Sequence, residues 1–325
     1  MAQTTDQRAL DQQTQAAIES ADLKQVGKLN IDDVIEYVHT GLRLPNELEL
    51  YARYLKQRWD VYELDFTQDA IDWREKMTEP EHESFIGVSA GFHHGERQVE
   101  VDLVPFMLGG TDEEKIFISS QIEDEARHTV FFDRFYRDVV GLPGETIFDV
   151  LDNSYPWVSE MFAGPFGLLA YQADFLTRDP ENPHLRVQYA TNYMLWIEGV
   201  LALTVMKLTL GYCRNRGFLP AYYTGFTATT RDESRHVQFG MQFLAKAVRR
   251  DPTMERDIHA VIETLFNMST ARSRELYLEP LGFTNEYIRD FQIQQLTRKL
   301  NAIGLDLPER VKANLDKMEA QVAGG

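Results

Sequence analysis

Apolar side chains recur at helical spacing along most of the 325-residue chain, whereas the period-two alternation typical of strands is nearly absent. Proline, glycine and capping residues divide this pattern into segments. Residues 1–30 predict a frayed helix or a disordered arm, and residues 59–65 predict extended backbone. Four long helices are predicted at about residues 81–107, 111–140, 185–215 and 221–250, with shorter helical segments within 31–56, 67–77, 145–185, 254–277 and 285–300. The sequence therefore predicts an all-α protein.

The third long predicted helix places a carboxylate, Glu198, inside a strongly apolar run that extends to Cys213. The run is long enough to suggest a transmembrane segment, but Glu198 and Lys207 interrupt it, so we predict a buried bundle helix and no membrane span. An unpaired buried charge costs several kcal/mol, so Glu198 needs a partner. A metal ion is the partner that the rest of the sequence offers, while pairing with Lys207 or a distant arginine stays open.

The pattern Asp-Glu-x-Arg-His occurs twice, at residues 124–128 and at residues 232–236, in the second and fourth long helices. Three further Glu-x-x-His patterns carry less weight, because two contain a proline and the third lies on a short N-terminal segment. Side chains three residues apart share one face of a helix, so each repeat presents a carboxylate beside an imidazole. Helix bundles complete a dinuclear metal site from two such pairs and one Glu from each of two further helices.

The first long helix offers Glu96 and Glu100, and Glu96 is preferred because it follows Gly95, where the backbone can approach a bulky group. Four carboxylates and two imidazoles suit iron or manganese, balance two divalent ions and leave open positions for dioxygen. Asp232 is expected to orient a ligating histidine, and His93 and His94 are expected to lie at the surface or beside the ligands. The predicted set is Glu96, Glu125 and His128 for one metal and Glu198, Glu233 and His236 for the other, with Glu125 and Glu233 bridging.

Composition limits the possible partners and location. A formal net charge of −18 argues against nucleic acid and against an anionic membrane surface. A single cysteine excludes an intrachain disulfide framework and suits a reducing compartment. The first 20 residues are polar and do not resemble a signal peptide. We therefore predict a soluble, cytoplasmic protein.

The motifs together resemble the ribonucleotide-reductase small-subunit superfamily over roughly residues 57–250. The resemblance rests on Trp59 with the segment at 63–69, the Gly95-Glu96 pair, both Asp-Glu-x-Arg-His repeats and Glu198. It implies a ferritin-like four-helix bundle core with additional helices, a homodimer, and a supporting role for Trp59 beside the metals. On this basis the chain divides into an N-terminal arm with short helices (1–56), a dinuclear-metal domain (57–300) and a C-terminal tail (301–325).

Two branches of that superfamily compete. True reductase subunits carry a radical tyrosine four residues after the first motif histidine, where this chain has Phe132, and a tyrosine in their C-terminal tail, whereas this chain has none after Tyr287. The ligand-binding oxidases are more similar. Their Gly-Glu-x-x-Val sequence matches residues 95–99, and their tyrosine five residues before a Glu-Gly-x-Leu-Ala-Leu-Thr run matches Tyr193 and residues 198–204.

The oxidase resemblance implies a manganese–iron centre that activates dioxygen, a long-chain fatty acid in an apolar tunnel at the metals, and an ether cross-link between Val99 and Tyr193. The segment between Glu96 and Glu125 is shorter than that branch leads us to expect, and the N-terminal arm is longer. The expected function is oxygen-dependent two-electron oxidation of an apolar C–H bond, by manganese–iron or di-iron, with a small apolar or fatty-acid-like ligand and an electron donor. A reductase small subunit and a non-catalytic metal-binding bundle remain alternatives.

Overall fold

The computed structural model describes residues 10–39, 43–158, 160–271 and 278–323. Every regular element in these residues is helical, so the all-α prediction is confirmed. The chain begins with short helices that precede the bundle. They are α1 (Gln12–Ile18), α2 (Leu23–Val26), α3 (Ile31–Tyr37), α4 (Glu47–Gln57) and α5 (Thr67–Lys76).

The N-terminal segment differs from its prediction. Residues 1–9 lie outside the described residues, but α1 and α2 are packed helices whose Ile18 and Val26 are fully buried, not a frayed arm. The predicted extended stretch also contains a 3-10 turn at Val61–Glu63, because the side chain of Asp60 accepts a hydrogen bond from the backbone N–H of Tyr62. Short polar side chains cap these short helices locally, so they form although the sequence shows no apolar periodicity there.

The bundle proper contains the four long helical segments that were predicted. Thr111 and Glu114 form a capping box at the start of the second one. The elements are α6 (Glu79–Leu108), α7 (Asp112–Phe135, extended by a π-helical turn at Tyr136–Val140), α8 (Ile147–Ser154), α9 (Glu160–Arg178), α10 (Pro183–Ala190), a π-helix (Thr191–Ala202), α11 (Leu203–Arg216) and α12 (Pro220–Arg250).

The π-helix is the main feature of the bundle that periodicity did not predict. All of its 12 residues are buried, so the run is apolar on every side and no amphipathic period distinguishes a π-helix from an α-helix. The continuous helix Pro183–Arg216 is also the one helix of the described chain that is long and apolar enough to cross a bilayer, and 89% of its apolar window is buried inside the protein. It is a core helix of the bundle.

Two apolar layers enclose the middle of the bundle. One contains the first half of α6, the end of α7 and the start of α12, with Phe85, Phe131 and Tyr222. The other contains the second half of α6, the start of α7 and the end of α12, with Phe117 and Phe239. Polar side chains at the centre of these helices therefore lie between two dry layers, where water is excluded.

Three helices complete the chain: α13 (Glu255–Ala271), α14 (Asn285–Ala302) and α15 (Glu309–Ala323). The helix predicted at 254–277 is present to residue 271, and residues 272–277 lie outside the described residues. The predicted C-terminal tail, residues 301–325, contains α15, which packs against α13 and buries Val311. The division into domains stays a prediction.

Candidate metal centre

The six predicted ligands come together at the centre of the bundle from four different helical segments. Each is at most 5% exposed. Their ligand atoms form two groups, within each of which all atoms lie within 4.8 Å of one another. Both groups contain Glu125 and Glu233. The first group adds Glu96 and His128, and the second adds Glu198 and His236.

Both imidazoles face the carboxylates through Nδ1. His128 Nδ1 lies 3.3 Å from Glu233 and 3.5 Å from both Glu96 and Glu125. It has no hydrogen-bond partner among the described residues. His236 Nδ1 in the same way lies 3.2 to 3.5 Å from three carboxylates. Each Nδ1 thus faces the space between the carboxylates, where its lone pair could bind a cation once the nitrogen carries no proton.

Within the described residues, the four glutamates of this cluster form ion pairs with histidines and with no lysine or arginine. Burial, reinforced by the nearby charge of Glu125, raises the pKa of Glu96 well above its ordinary value. Burial also raises the pKa of Glu198 to about 8. Although burial opposes their protonation, the surrounding carboxylates raise the pKa of His128 and His236 well above the ordinary value. The cluster therefore retains protons in place of missing positive charge, and cations bound there would displace them.

The outer nitrogen of each histidine is held by an aspartate from the other repeat. His128 Nε2 lies 3.3 Å from Asp232 Oδ2, and His236 Nε2 lies 3.1 Å from Asp124 Oδ2. An aspartate that accepts the Nε2 proton fixes the tautomer that leaves Nδ1 free to bind a metal. Asp232 occupies the orienting position expected of it. Asp124 was missed, although its identical place in the first repeat was a usable signal.

Two arginines of the repeats neutralise this pair of aspartates. Arg235 donates to Asp124 Oδ2 at 2.7 Å and to Asp232 Oδ1 at 3.0 Å. Arg127 donates to Asp232 Oδ2 at 3.1 Å and also contacts Asp124. Burial alone would raise the pKa of both carboxyl groups, but the arginines hold each pKa below its ordinary value. The aspartates are therefore ionised hydrogen-bond acceptors for the histidines.

Trp59 supports the same aspartate from outside the bundle. Its indole N–H donates to Asp232 Oδ2 at 2.7 Å, and its ring is 2% exposed. The guanidinium of Arg127 lies over the ring, 5.4 Å from the centroid. The structure thus places Trp59 where the sequence predicted it, one hydrogen bond away from the aspartate that holds His128.

Tyr193 contacts the cluster directly through its hydroxyl. The Tyr193 hydroxyl donates to Glu125 Oε1 at 2.7 Å. It accepts a hydrogen bond from Gln121 Nε2 at 3.2 Å, and the same nitrogen donates to Glu198 Oε1 at 2.9 Å. Gln121 was not predicted, because a glutamine one turn before Glu125 completes no motif. Its role depends on α7 facing the π-helix.

A cavity of about 30 Å³ lies beside the carboxylates, and Val99 and Tyr193 both line it. Its size is roughly that of one water molecule. Two rings from α9 limit it, because Phe162 and Phe166 pack on glycines of α6. A Cβ built on Gly91 would lie 2.5 Å from the ring of Phe162, and one built on Gly95 would lie 2.7 Å from the ring of Phe166.

The remaining candidates lie away from the cluster. His93 is fully buried and stacks on Tyr136 with 5.5 Å between ring centroids, and His94 hydrogen-bonds Ser154. Neither belongs to the two ligand groups found in the described residues. Phe132, at the position of the radical tyrosine of reductases, is fully buried among other phenylalanines.

The proposed ion pair between Glu198 and Lys207 is wrong. Lys207 forms its ion pair with Asp32, at the protein surface. In the part of the chain that the structure describes, Glu198 accepts a hydrogen bond from Gln121 and faces His236, and it pairs with no lysine or arginine. The Oε2 atom of Glu198 has no hydrogen-bond partner there. A buried carboxylate oxygen without a partner is typical of a site that binds a cation.

No family model matches the sequence. Solved structures with the same fold include R2-like ligand-binding oxidases. One, from Sulfolobus acidocaldarius, is 23% identical, with a TM-score of 0.67 over 81% of this chain and 92% of that chain. Two variant oxidases, with anaerobically and aerobically reconstituted Mn/Fe cofactors, are each 23% identical, with a TM-score of 0.69 over 79% of this chain and 92% of theirs. The chain therefore has the ferritin-like fold of R2-like ligand-binding oxidases, as the resemblance in its motifs predicted.

Proposed function

We propose that this protein is a dinuclear-metal oxidase that uses dioxygen for the two-electron oxidation of an apolar C–H bond. Its ions would be manganese and iron, or two irons. The observation that carries the proposal is the pair of buried ligand groups that share Glu125 and Glu233. The Mn/Fe cofactors of the oxidases with the same fold support it.

We assign the two ions to the two groups, and the donor atoms fit them. Carboxylate oxygens and imidazole nitrogens suit manganese and iron. Two atoms without partners, His128 Nδ1 and Glu198 Oε2, are buried in the cluster. Bound there, the two metals would supply the electrons that reduce dioxygen. The ligands would be Glu96, Glu125 and His128 for one ion and Glu198, Glu233 and His236 for the other, and Glu125 and Glu233, which belong to both groups, would bridge them.

The surrounding side chains would keep the reaction dry and oriented. The cavity is lined by Val99, Phe162 and Phe166 beside the carboxylates, so a reacting molecule meets apolar surface on its other sides. Asp232 and Asp124 hold the histidines with Nδ1 facing inward. A small molecule such as dioxygen matches the volume of about 30 Å³.

We also propose that Val99 and Tyr193 become joined by an ether bond. The two side chains line the same cavity, and the Tyr193 hydroxyl already donates to Glu125. In this step a bond forms between the tyrosine oxygen and a valine carbon, while the O–H bond and one C–H bond break. Two protons leave and two electrons pass to dioxygen, so the step needs no further oxidant.

A fatty-acid-like ligand requires a change in this cavity. A volume of about 30 Å³ cannot hold a hydrocarbon chain. Binding of such a ligand would move the rings of Phe162 and Phe166 away from Gly91 and Gly95, which they cover. A homodimer, an electron donor and a cytoplasmic location stay predictions.

Metal analysis with oxygen uptake tests the central proposal. Protein loaded anaerobically with Mn(II) and Fe(II) should hold two metal ions per chain and consume dioxygen when exposed to air. Glu96→Gln should lose one ion and the oxygen uptake. Glu100→Gln is the matched control, because Glu100 lies one turn away on α6 and outside both ligand groups. Wild-type protein that binds two ions without consuming dioxygen would instead favour a non-catalytic metal-binding bundle.

Peptide mass spectrometry of the air-exposed protein tests the cross-link. A peptide containing Val99 joined to one containing Tyr193 should appear, lighter by two hydrogens than the sum of the two. Anaerobic samples and Tyr193→Phe should lack it. Its absence from fully metallated, air-exposed wild-type protein would refute the cross-link, while the oxygen uptake would still test the oxidase.

A further inference from the structure

Gln121 connects α7 to the π-helix at the edge of the metal cluster. It lies one helical turn before Glu125 and is fully buried. Its side-chain nitrogen donates to Glu198 Oε1 at 2.9 Å and to the Tyr193 hydroxyl at 3.2 Å. One amide group therefore uses both of its hydrogens on two residues that belong to a different helical segment.

These bonds fix the orientation of the Glu198 carboxylate within the cluster. The Gln121 amide occupies Oε1, whereas Oε2 has no hydrogen-bond partner in the described structure. A carboxylate held through one oxygen cannot rotate without breaking that bond, and the same Oε1 lies 3.5 Å from His236 Nδ1, so the carboxylate is held facing this ligand. Glu198 belongs to the π-helix, so the bond from α7 supports it from outside its own helical segment.

The same amide fixes the direction of the Tyr193 proton. An amide nitrogen can only donate, so the Tyr193 oxygen is the acceptor in its bond with Gln121. The tyrosine must then give its own hydrogen to Glu125 Oε1, 2.7 Å away. The hydrogen bonds thus run from Gln121 to Tyr193 and from Tyr193 to Glu125. A residue without a side-chain N–H at position 121 would not fix the direction of the Tyr193 proton.

We propose that Gln121 is a positioning residue that holds the Glu198 carboxylate in its orientation toward His236 and directs the hydroxyl proton of Tyr193 at Glu125. This inference rests on the proposed metal centre. It assigns Gln121 to the site of His236, because Glu198 is in that ligand group and not in the group of His128. Loss of the amide should therefore affect the two metal positions unequally.

Anaerobic titration with Co(II) tests this inequality without any oxygen chemistry, because the visible absorption of each bound ion reports its ligands. In Gln121→Met, the ion at the site of Glu198 and His236 should bind roughly 10- to 100-fold more weakly. This is the usual effect of removing a hydrogen bond to a metal ligand. The ion at the site of His128 should bind as in wild type. Its spectrum is known from His236→Ala, which should bind one ion, at the site of His128. Gln121→Asn keeps the amide but is too short to reach both partners, so it should weaken the same ion.

Gln242→Met is the matched control, because Gln242 is another buried glutamine, on α12, whose amide donates to Glu47 and not to the cluster. It should bind both Co(II) ions as wild type does. Wild-type affinity for both ions in Gln121→Met, or equal weakening of both, would overturn the positioning role. Failure of the wild-type protein itself to bind two ions would overturn the metal centre, and the inference with it. In air-exposed Mn/Fe protein, Gln121→Met should also form less of the peptide that joins Val99 to Tyr193 than the control does.

Discussion

Lys299 should make the protein less stable at neutral pH than at alkaline pH. It lies on α14, is fully buried, and has one hydrogen bond, to Gln295. Its alkyl stem covers Gly199, where a Cβ would lie 2.9 Å from Lys299 Cε. Burial, with the nearby charge of Arg298, lowers its pKa from 10.5 to about 7.

The direction of this pH dependence follows from proton binding in the folded and unfolded states. Between pH 7 and 10.5 the unfolded chain binds a proton at Lys299 that the folded chain does not, so stability rises with pH across this window. Each pKa unit corresponds to about 1.4 kcal/mol, so the full penalty below pH 7 is about 5 kcal/mol, and about 3 kcal/mol of it disappears between pH 7 and 9. Lys299→Met has a similar volume and no charge, and it should remove this dependence.

Urea unfolding of the metal-free protein at several pH values measures the effect. The free energy of unfolding of Lys299→Met minus that of wild type should fall by about 3 kcal/mol from pH 7 to pH 9. Taking this difference cancels other titrations, such as that of Cys213, whose pKa burial raises. Lys56→Met, at an exposed position, should show no such change. A difference that is constant with pH would refute a neutral, buried Lys299.

Two further substitutions test the packing and hydrogen bonds around the centre. Gly95→Ala should lower the free energy of unfolding by about 1–3 kcal/mol, because its methyl group would lie 2.7 Å from the ring of Phe166. In Gly87→Ala, on the same helix, the new methyl group meets nothing within 4 Å, so the free energy of unfolding should rise by about 1 kcal/mol. Equal free energies of unfolding for the two variants in urea would contradict the close contact at Gly95. Trp59→Phe should cost about 2 kcal/mol through loss of the hydrogen bond to Asp232, while Co(II) titration should still find two ions. Unchanged stability would show that this bond contributes little.

The ligand positions could be predicted from sequence because helical spacing is a local property. Two side chains three residues apart on one helix must share a face, so Glu125 with His128 and Glu233 with His236 follow from the repeats. Glu198 could be found because a carboxylate in an apolar run needs a partner. The structure brings these five residues and Glu96 into one cluster.

The features that were missed depend on contacts between helices. Gln121 acts across the gap between α7 and the π-helix, and no spacing within α7 indicates such a contact. The small cavity depends on Phe162 and Phe166, which belong to a connecting helix whose position over α6 the sequence does not specify. The π-helix could not be predicted either, because all of its residues are buried and its sequence has no amphipathic period.

The two acidic residues of each repeat have opposite electrostatic situations, although they are adjacent in sequence. Asp124 and Asp232 lie in a layer with Arg127, Arg231 and Arg235, whose ion pairs compensate both negative charges without any added cation. The glutamates beside them meet no arginine or lysine within the described residues; they face the histidines, and Glu125 also accepts a hydrogen bond from Tyr193. An arrangement made only for stability would not compensate the carboxylates of one layer and leave the next with four buried carboxylates, since unpaired buried charge is strongly unfavourable. Two divalent cations remove that imbalance, and they would do so at the Nδ1 atoms that the layer of aspartates and arginines holds in place.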